Sequence, residues 1–240
     1  MSNLFNNNDS FVIENENSLA KNYIANVFLY MFFGLGVTGF ISWYFGQDFS
    51  RIAFMFNEMG GPNIIGYVVM FSPLALVFLM GGAYHKLSSG ALKGVFFGFA
   101  AVMGLSLSTI FMTYTASSIA STFFITGGLF GVMAFLGYTT KTDLTKLGSF
   151  LMMALIGIII ASFVNWFMQS SGLHYIISFG GVVIFTGLTA YDVQKLKYIG
   201  SNPDLAGEEK DKSIIMGALS LYLDFINLFL FLLRFLGNRD

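Results

Sequence analysis

Asp224 stands near the middle of "ALSLYLDFINLFLFLLRFLG" (218–237), a run otherwise apolar enough to cross a bilayer. It is about ten residues from either end, hence roughly 15 Å from either boundary at 1.5 Å per residue. An ionised carboxylate at that depth costs about 2.5–3.5 kcal/mol on insertion scales, and such a residue usually faces a partner or a water-filled cavity. Ser220 at i−4 and Asn227 at i+3 fall on the same helical face and could line one polar stripe with it. A second carboxylate, Asp192, lies in "GLTAYDVQKLKYIG" at the end of the sixth apolar span, followed by Gln194, Lys195 and Lys197. The bland alternative makes both structural. Asp224 would then be protonated and hydrogen-bonded between helices. Asp192 would be solvated, paired at i+3 with Lys195 for a few tenths of a kcal/mol.

Whether the two meet depends on the elements that carry them. The chain has 240 residues, 55% of them hydrophobic and only 10% charged, with a mean hydropathy of +0.72. A soluble domain carries about 25% charged residues, so this chain belongs in a bilayer. Stretches of about 20 apolar residues, the length a helix needs to cross, recur near 24–45, 64–83, 94–113, 119–138, 147–168, 175–193 and 214–236. Residues 147–191 contain no Asp, Glu, Lys or Arg and are too long for one helix, and "MQSSGLH" (168–174) is the natural turn. The runs show no period-two alternation, which argues against a β-barrel. The reading is an all-α integral membrane protein of seven transmembrane helices, with a polar, loosely ordered cytoplasmic tail over 1–22 and one membrane domain over 23–240. A helix starting near Tyr175 would put Asp192 about 26 Å down, near one edge, with Asp224 nearer the middle. The pair forms only if the seventh helix is displaced or the sixth tilted.

Lys21, Lys86, Lys93, Lys141, Lys146, Lys195, Lys197, Lys210 and Lys212 fall on the N-terminal side of this arrangement. Arg51 is the only basic residue in the first, third and fifth loops. Basic residues collect inside, so the N-terminus is expected in the cytoplasm. Arg234 and Arg239 would lie outside if the last segment spans fully and inside if it only dips into the bundle. The first twenty residues lack the positive and apolar regions of a secretory signal, so the N-terminus is expected to be retained. A net charge of −1 gives no sign of nucleic-acid binding, and the absence of cysteine excludes disulfides and thiol chemistry. Gly94/Gly98 and Gly127/Gly131 have GxxxG spacing, read here as plain close packing of helices ahead of a specific dimer face.

Three stretches carry a resemblance: "YTASSIASTFFITGGLFGVMAFLGYTTKTDLTKLG" (114–148), "FTGLTAYDVQKLK" (185–197) and "ALSLYLDFINLFLFLLRFLG" (218–237). Together and in this order they resemble the bacterial branch of the Bax inhibitor family, also called the transmembrane Bax inhibitor motif family. The resemblance implies six helices around a central C-terminal one. It also implies a hydrogen-bonded carboxylate pair at the cytoplasmic side of a pore, matching Asp192 and Asp224. Members are associated with pH-sensitive calcium leak, and some bacterial relatives modulate a membrane-bound AAA protease. In some members a basic residue on the second helix latches the pair; this chain has no Lys or Arg between Pro62 and His85.

Two carboxylates within hydrogen-bonding distance share a proton and titrate as a coupled pair. Loss of the last proton would favour separation and an open state. Calcium takes six to eight oxygen ligands, of which two aspartates supply at most four. Water, carbonyls or Asn227 would complete the shell, and calcium is then a transported species at Asp192 and Asp224, with no cofactor expected.

An intramembrane aspartyl protease would also use two membrane aspartates, and Tyr191-Asp192 fits half of its pattern. Its second aspartate comes in GxGD, where this chain has "LYLD", and the prolines here, Pro62, Pro73 and Pro203, supply no Pro-Ala-Leu. A serine protease would need a membrane histidine, yet His85 and His174 fall at span ends. A retinal protein would need a lysine in the last helix, and 214–236 has none. No catalytic residue is assigned and no enzyme activity is expected. The remaining alternative is a regulator of a membrane-bound protease without transport, with polar "SNPDLAGEEKDK" (201–212) as contact surface or solvated linker.

Overall fold

The computed structural model describes the backbone of residues 2–238 and the side chains of residues 18–238. Seven long helices account for the fold: α1 (Ser2–Gly46), α2 (Ile64–Gly82), α3 (Ser89–Leu107), α4 (Ala116–Thr139), α5 (Thr145–Met168), α6 (Ser171–Gly200) and α7 (Gly207–Leu236). Among the described residues there is no strand; isolated bridges occur at Phe56, paired with Pro62, and at Tyr114. All seven helices are long and apolar enough to cross a membrane, α1 through its segment Ser18–Gly46. In lipid every backbone polar group must be satisfied internally, which is why such runs fold as helices. The polar tail expected over 1–22 lies, up to residue 17, outside the described side chains; its backbone continues α1.

Short polar residues start these helices. Asn63, Ser88, Thr115 and Ser170 each accept a hydrogen bond from a backbone N–H in the first turn of α2, α3, α4 and α6. In the first loop Asp48 caps the turn Phe49–Ile52, and the Ser50 N–H at 2.9 Å holds its carboxyl below the usual carboxylate range. The break expected over 168–174 is shorter: Gln169, in the left-handed region at φ 49°, reverses the chain, and α6 begins at Ser171. Gly172 and His174 are inside that helix.

The last two helices depart most from the expected spans. Each runs 30 residues, about 45 Å, against a hydrocarbon core of about 30 Å. Both overshoot on the same side, α6 to Gly200 instead of 193 and α7 from Gly207 instead of 214. Hydropathy marks where the membrane is, and the polar turns beyond it remain helical. The linker is therefore 201–206, not 201–212. Glu208 Oε1 accepts the Ser89 N–H (3.0 Å), and the Tyr84 hydroxyl donates to Glu209 Oε2 (3.2 Å). Asp211 pairs with Lys93 at 3.7 Å. At the opposite end the Asn238 N–H donates to Ser118 Oγ (2.9 Å), and the Thr115 N–H donates to the Asn238 carbonyl (3.3 Å). The last helix thus runs through the bundle from one face to the other, and Arg234 lies at its far end. Arg239 lies outside the described residues.

Helix α7 is the most buried of the seven, with 72% of its apolar window inside, against 11% for α2 and α5. It packs on α6, α1, α4 and α3, whereas α2 packs chiefly on α3, and α5 on α6. Close approaches occur at particular glycines. A Cβ at Gly137 would collide with the Ala190 backbone where α4 crosses α6, and one at Gly104 would meet the Thr38 carbonyl where α3 crosses α1. At Gly94, Gly98, Gly127 and Gly131 a Cβ would meet nothing within 4 Å. The close packing expected of those GxxxG pairs therefore does not occur among the described residues.

Candidate functional site

The antiparallel register of α6 and α7 places the two aspartates together. A Cβ at Gly217 would touch Leu196, and Ser220 meets Asp192. Further along, Phe231 stacks on Phe185 with ring centroids 5.8 Å apart and covers Gly181. Because α6 continues eight residues past Asp192, that carboxylate sits about 12 Å inside its helix end, not at the edge. Depth counted from span ends misses the register, which Ser220, one turn before Asp224, fixes by its bond to Asp192.

Asp192 Oδ2 accepts a 2.6 Å hydrogen bond from the Ser220 hydroxyl. Asp224, one turn further along α7, is 6% exposed and within hydrogen-bonding reach of Asp192. Its Oδ2 is buried and has no hydrogen-bond donor among the described residues. Two ionised carboxylates are both acceptors and cannot bond to each other. One proton between them gives the orphaned oxygen a partner, and buried polar atoms are seldom left without one. Asn227 lies on the same face; its amide donates to the Leu223 carbonyl (2.8 Å) and fixes the side chain along the helix. The expected surface ion pair of Asp192 with Lys195 is not formed among the described residues, although the lysine's charge acts on the carboxylate.

Two cavities meet at this point. One of about 530 Å³ lies between α5, α6 and α7 and is lined by Asp192, Asp224, Ser220, Asn227, Tyr191 and Lys195, with Phe185 and Phe231 at its deep end. The other, about 350 Å³, lies between α1, α2, α6 and α7 and leads toward the N-terminal face past Tyr23 and Ser213. Asp192, Lys195, Ser220 and Leu223 line both and form a waist. All four residues singled out on α6 and α7 are thus brought to one space. Among the described residues no group of three or more His, Asp or Glu side chains converges to hold a metal ion.

Other residues of the site carried no signal in spacing. Gln194, 3% exposed, accepts the Leu144 N–H through Oε1 (2.8 Å) and donates from Nε2 to the Thr142 carbonyl (2.8 Å). Lys197 donates to the Tyr138 carbonyl (2.9 Å) and lies over that ring at 5.0 Å. Together they fasten the α4–α5 turn to the helix that carries Asp192. On the other side of α7, Tyr222 donates to Thr38 Oγ1 (2.7 Å), which donates to the Ala100 carbonyl (2.7 Å). A hydroxyl has one proton, so that direction follows from the second bond.

The family described as "Inhibitor of apoptosis-promoting Bax1" matches residues 20–240. The chain belongs to this family. It is 46% identical over 220 residues to "Inner membrane protein YbhL" of Escherichia coli (strain K12), covering 91% of this chain and 92% of that protein. An uncharacterized protein of Borreliella burgdorferi is 45% identical over 228 residues, covering 94% and 96%. Another, RP147 of Rickettsia prowazekii, is 43% identical over 224, covering 91% and 90%. In this Bax1-inhibitor relative the wall that α2 presents to the pair is apolar. Val77 is the α2 residue lining the second cavity, and no Lys or Arg lies between Pro62 and His85.

Proposed function

We propose that this protein is a pH-sensitive calcium leak channel, gated by the proton shared between Asp192 and Asp224. The observation that carries the reading is the orphaned Asp224 Oδ2, buried in the most buried helix, within reach of Asp192 and beside a cavity. With one proton the pair holds α6 and α7 together. With none, two like charges in a poorly solvated space repel, and the helices separate around the waist. The freed oxygens, with Ser220, Asn227 and water, suit a hard divalent ion in transit. The Phe185–Phe231 stack closes the deep end, where an apolar constriction stops ions by excluding water. The name of the Escherichia coli relative and the lysine distribution support a bacterial inner-membrane location with a cytoplasmic N-terminus.

The test is calcium entry into dye-loaded proteoliposomes, compared at several values between about pH 6 and pH 8. Wild type should leak more as pH rises. Asp224→Asn and Asp192→Asn should flatten that dependence. No flux above empty vesicles would favour a regulator of a membrane-bound protease, although most of the polar segment 207–212 is already engaged within the chain.

A further inference from the structure

Lys195 is placed unlike the other lysines near the site. Lys197 is tied to Tyr138, Lys93 to Asp211 and Lys212 to Glu209. Lys195 is exposed, forms no ion pair or hydrogen bond among the described residues, and lines both cavities at the waist. It stands at i+3 from Asp192, on the same helical face, and its charge acts on that carboxylate. The other titratable groups facing this space are Asp224, Tyr191 and Tyr23, none of them cationic. An ion moving between the two cavities must pass one fixed positive charge.

We propose that Lys195 is a specificity-determining residue of this pathway: a tethered ammonium that competes with permeating cations for the Asp192 carboxylate and penalises divalent ions more than monovalent ones. The proposal rests on the leak reading above. In bulk water a unit charge roughly 6 Å from an ion changes monovalent occupancy about threefold and divalent occupancy by the square of that, roughly tenfold, and a less solvated passage enlarges both. The lysine thus throttles a calcium leak that the aspartates alone would make faster. It also holds the helix-end cation next to the pair where α2 has none.

Calcium and potassium entry should be compared in proteoliposomes at low ionic strength and fixed pH for wild type, Lys195→Gln and Lys195→Arg. Lys86→Gln serves as a control, since Lys86 lines neither cavity. Lys195→Gln should raise potassium flux about threefold and calcium flux roughly tenfold. Lys195→Arg and Lys86→Gln should match wild type, and the gain should shrink in high salt. Calcium and potassium fluxes unchanged in Lys195→Gln, with wild type conducting, would overturn the role of Lys195 and leave the leak reading intact. Equal gains for both ions would overturn the valence argument. A wild type with no flux above empty vesicles would overturn the leak reading and this proposal with it. Size-exclusion profiles of each variant separate a charge effect from misfolding.

Discussion

At the scale of single residues, the bundle stakes its polar groups on a few buried contacts. Asp224 could be picked out in the sequence because a carboxylate in an apolar run needs a partner on either reading, structural or functional. Asp192 was ambiguous, since the lysines after it read equally as a solvated helix end. The structure separates the two cases by committing Gln194 and Lys197 to the α4–α5 turn while Asp192 takes Ser220. Tyr222 was illegible for a different reason: a tyrosine among Leu and Phe looks like packing, and its bond to Thr38 joins residues 184 positions apart. Tyr222→Phe should remove one buried hydrogen bond and lower stability in detergent by about 0.5–1.5 kcal/mol. Thermal unfolding compared with wild type checks this, and the flux of the variant should keep its pH dependence, because Tyr222 lines neither cavity.

At the scale of helices, apolar runs revealed seven elements and hid where they end. A hydropathy pattern records the bilayer, so the polar turns 194–200 and 207–213 dropped out of the expected spans although both are helical. The register that brings Asp192 to Ser220 and Asp224 is set by packing along both helices, from Gly217 against Leu196 to Phe231 against Phe185, and no residue count could establish it. Glycine spacing misled in a related way. The repeated GxxxG pairs face open space, whereas isolated Gly137 lets α4 reach the α6 backbone just before Tyr191 and Asp192. Gly137→Val should force the two helices apart and cost about 1–3 kcal/mol, with loss of the pH response. Gly131→Val should leave both stability and flux near wild type. At the deep end of the larger cavity, Phe231→Ala should remove half of the stacked pair and raise leak at every pH. An unchanged rate there would place the barrier elsewhere.

At the scale of the whole molecule, the seven helices divide into five that build the interior, α1, α3, α4, α6 and α7, and two, α2 and α5, that stand outside and border the cavities. The polar face of α7, with Ser220, Asp224 and Asn227, lines the larger cavity, which α5 borders. The arrangement also sorts the loops onto two faces. The start of the apolar segment of α1 at Ser18, the 83–88 turn, the 140–144 turn and the 201–206 linker share one face. The 47–63 loop, the 113–115 turn and Asn238 share the other. Charge alone could not place the C-terminus, because two arginines at the end of the last segment fit either side, but the bond from Asn238 to Ser118 puts Asn238 on the face of the 113–115 turn. The chain has no cysteine, so single substitutions give background-free labelling. Met59→Cys, at a position 98% exposed, and Asn238→Cys should react with a membrane-impermeant maleimide in intact cells. Asn202→Cys should react only after permeabilisation. Labelling of Asn238→Cys with the same access as Asn202→Cys would mean that the last helix does not cross, and the path from the waist to the far face would lose its wall. Reversed access of all three would keep the fold and invert the protein, so that the second cavity, past Tyr23 and Ser213, would open to the outside and the pair would sense external pH.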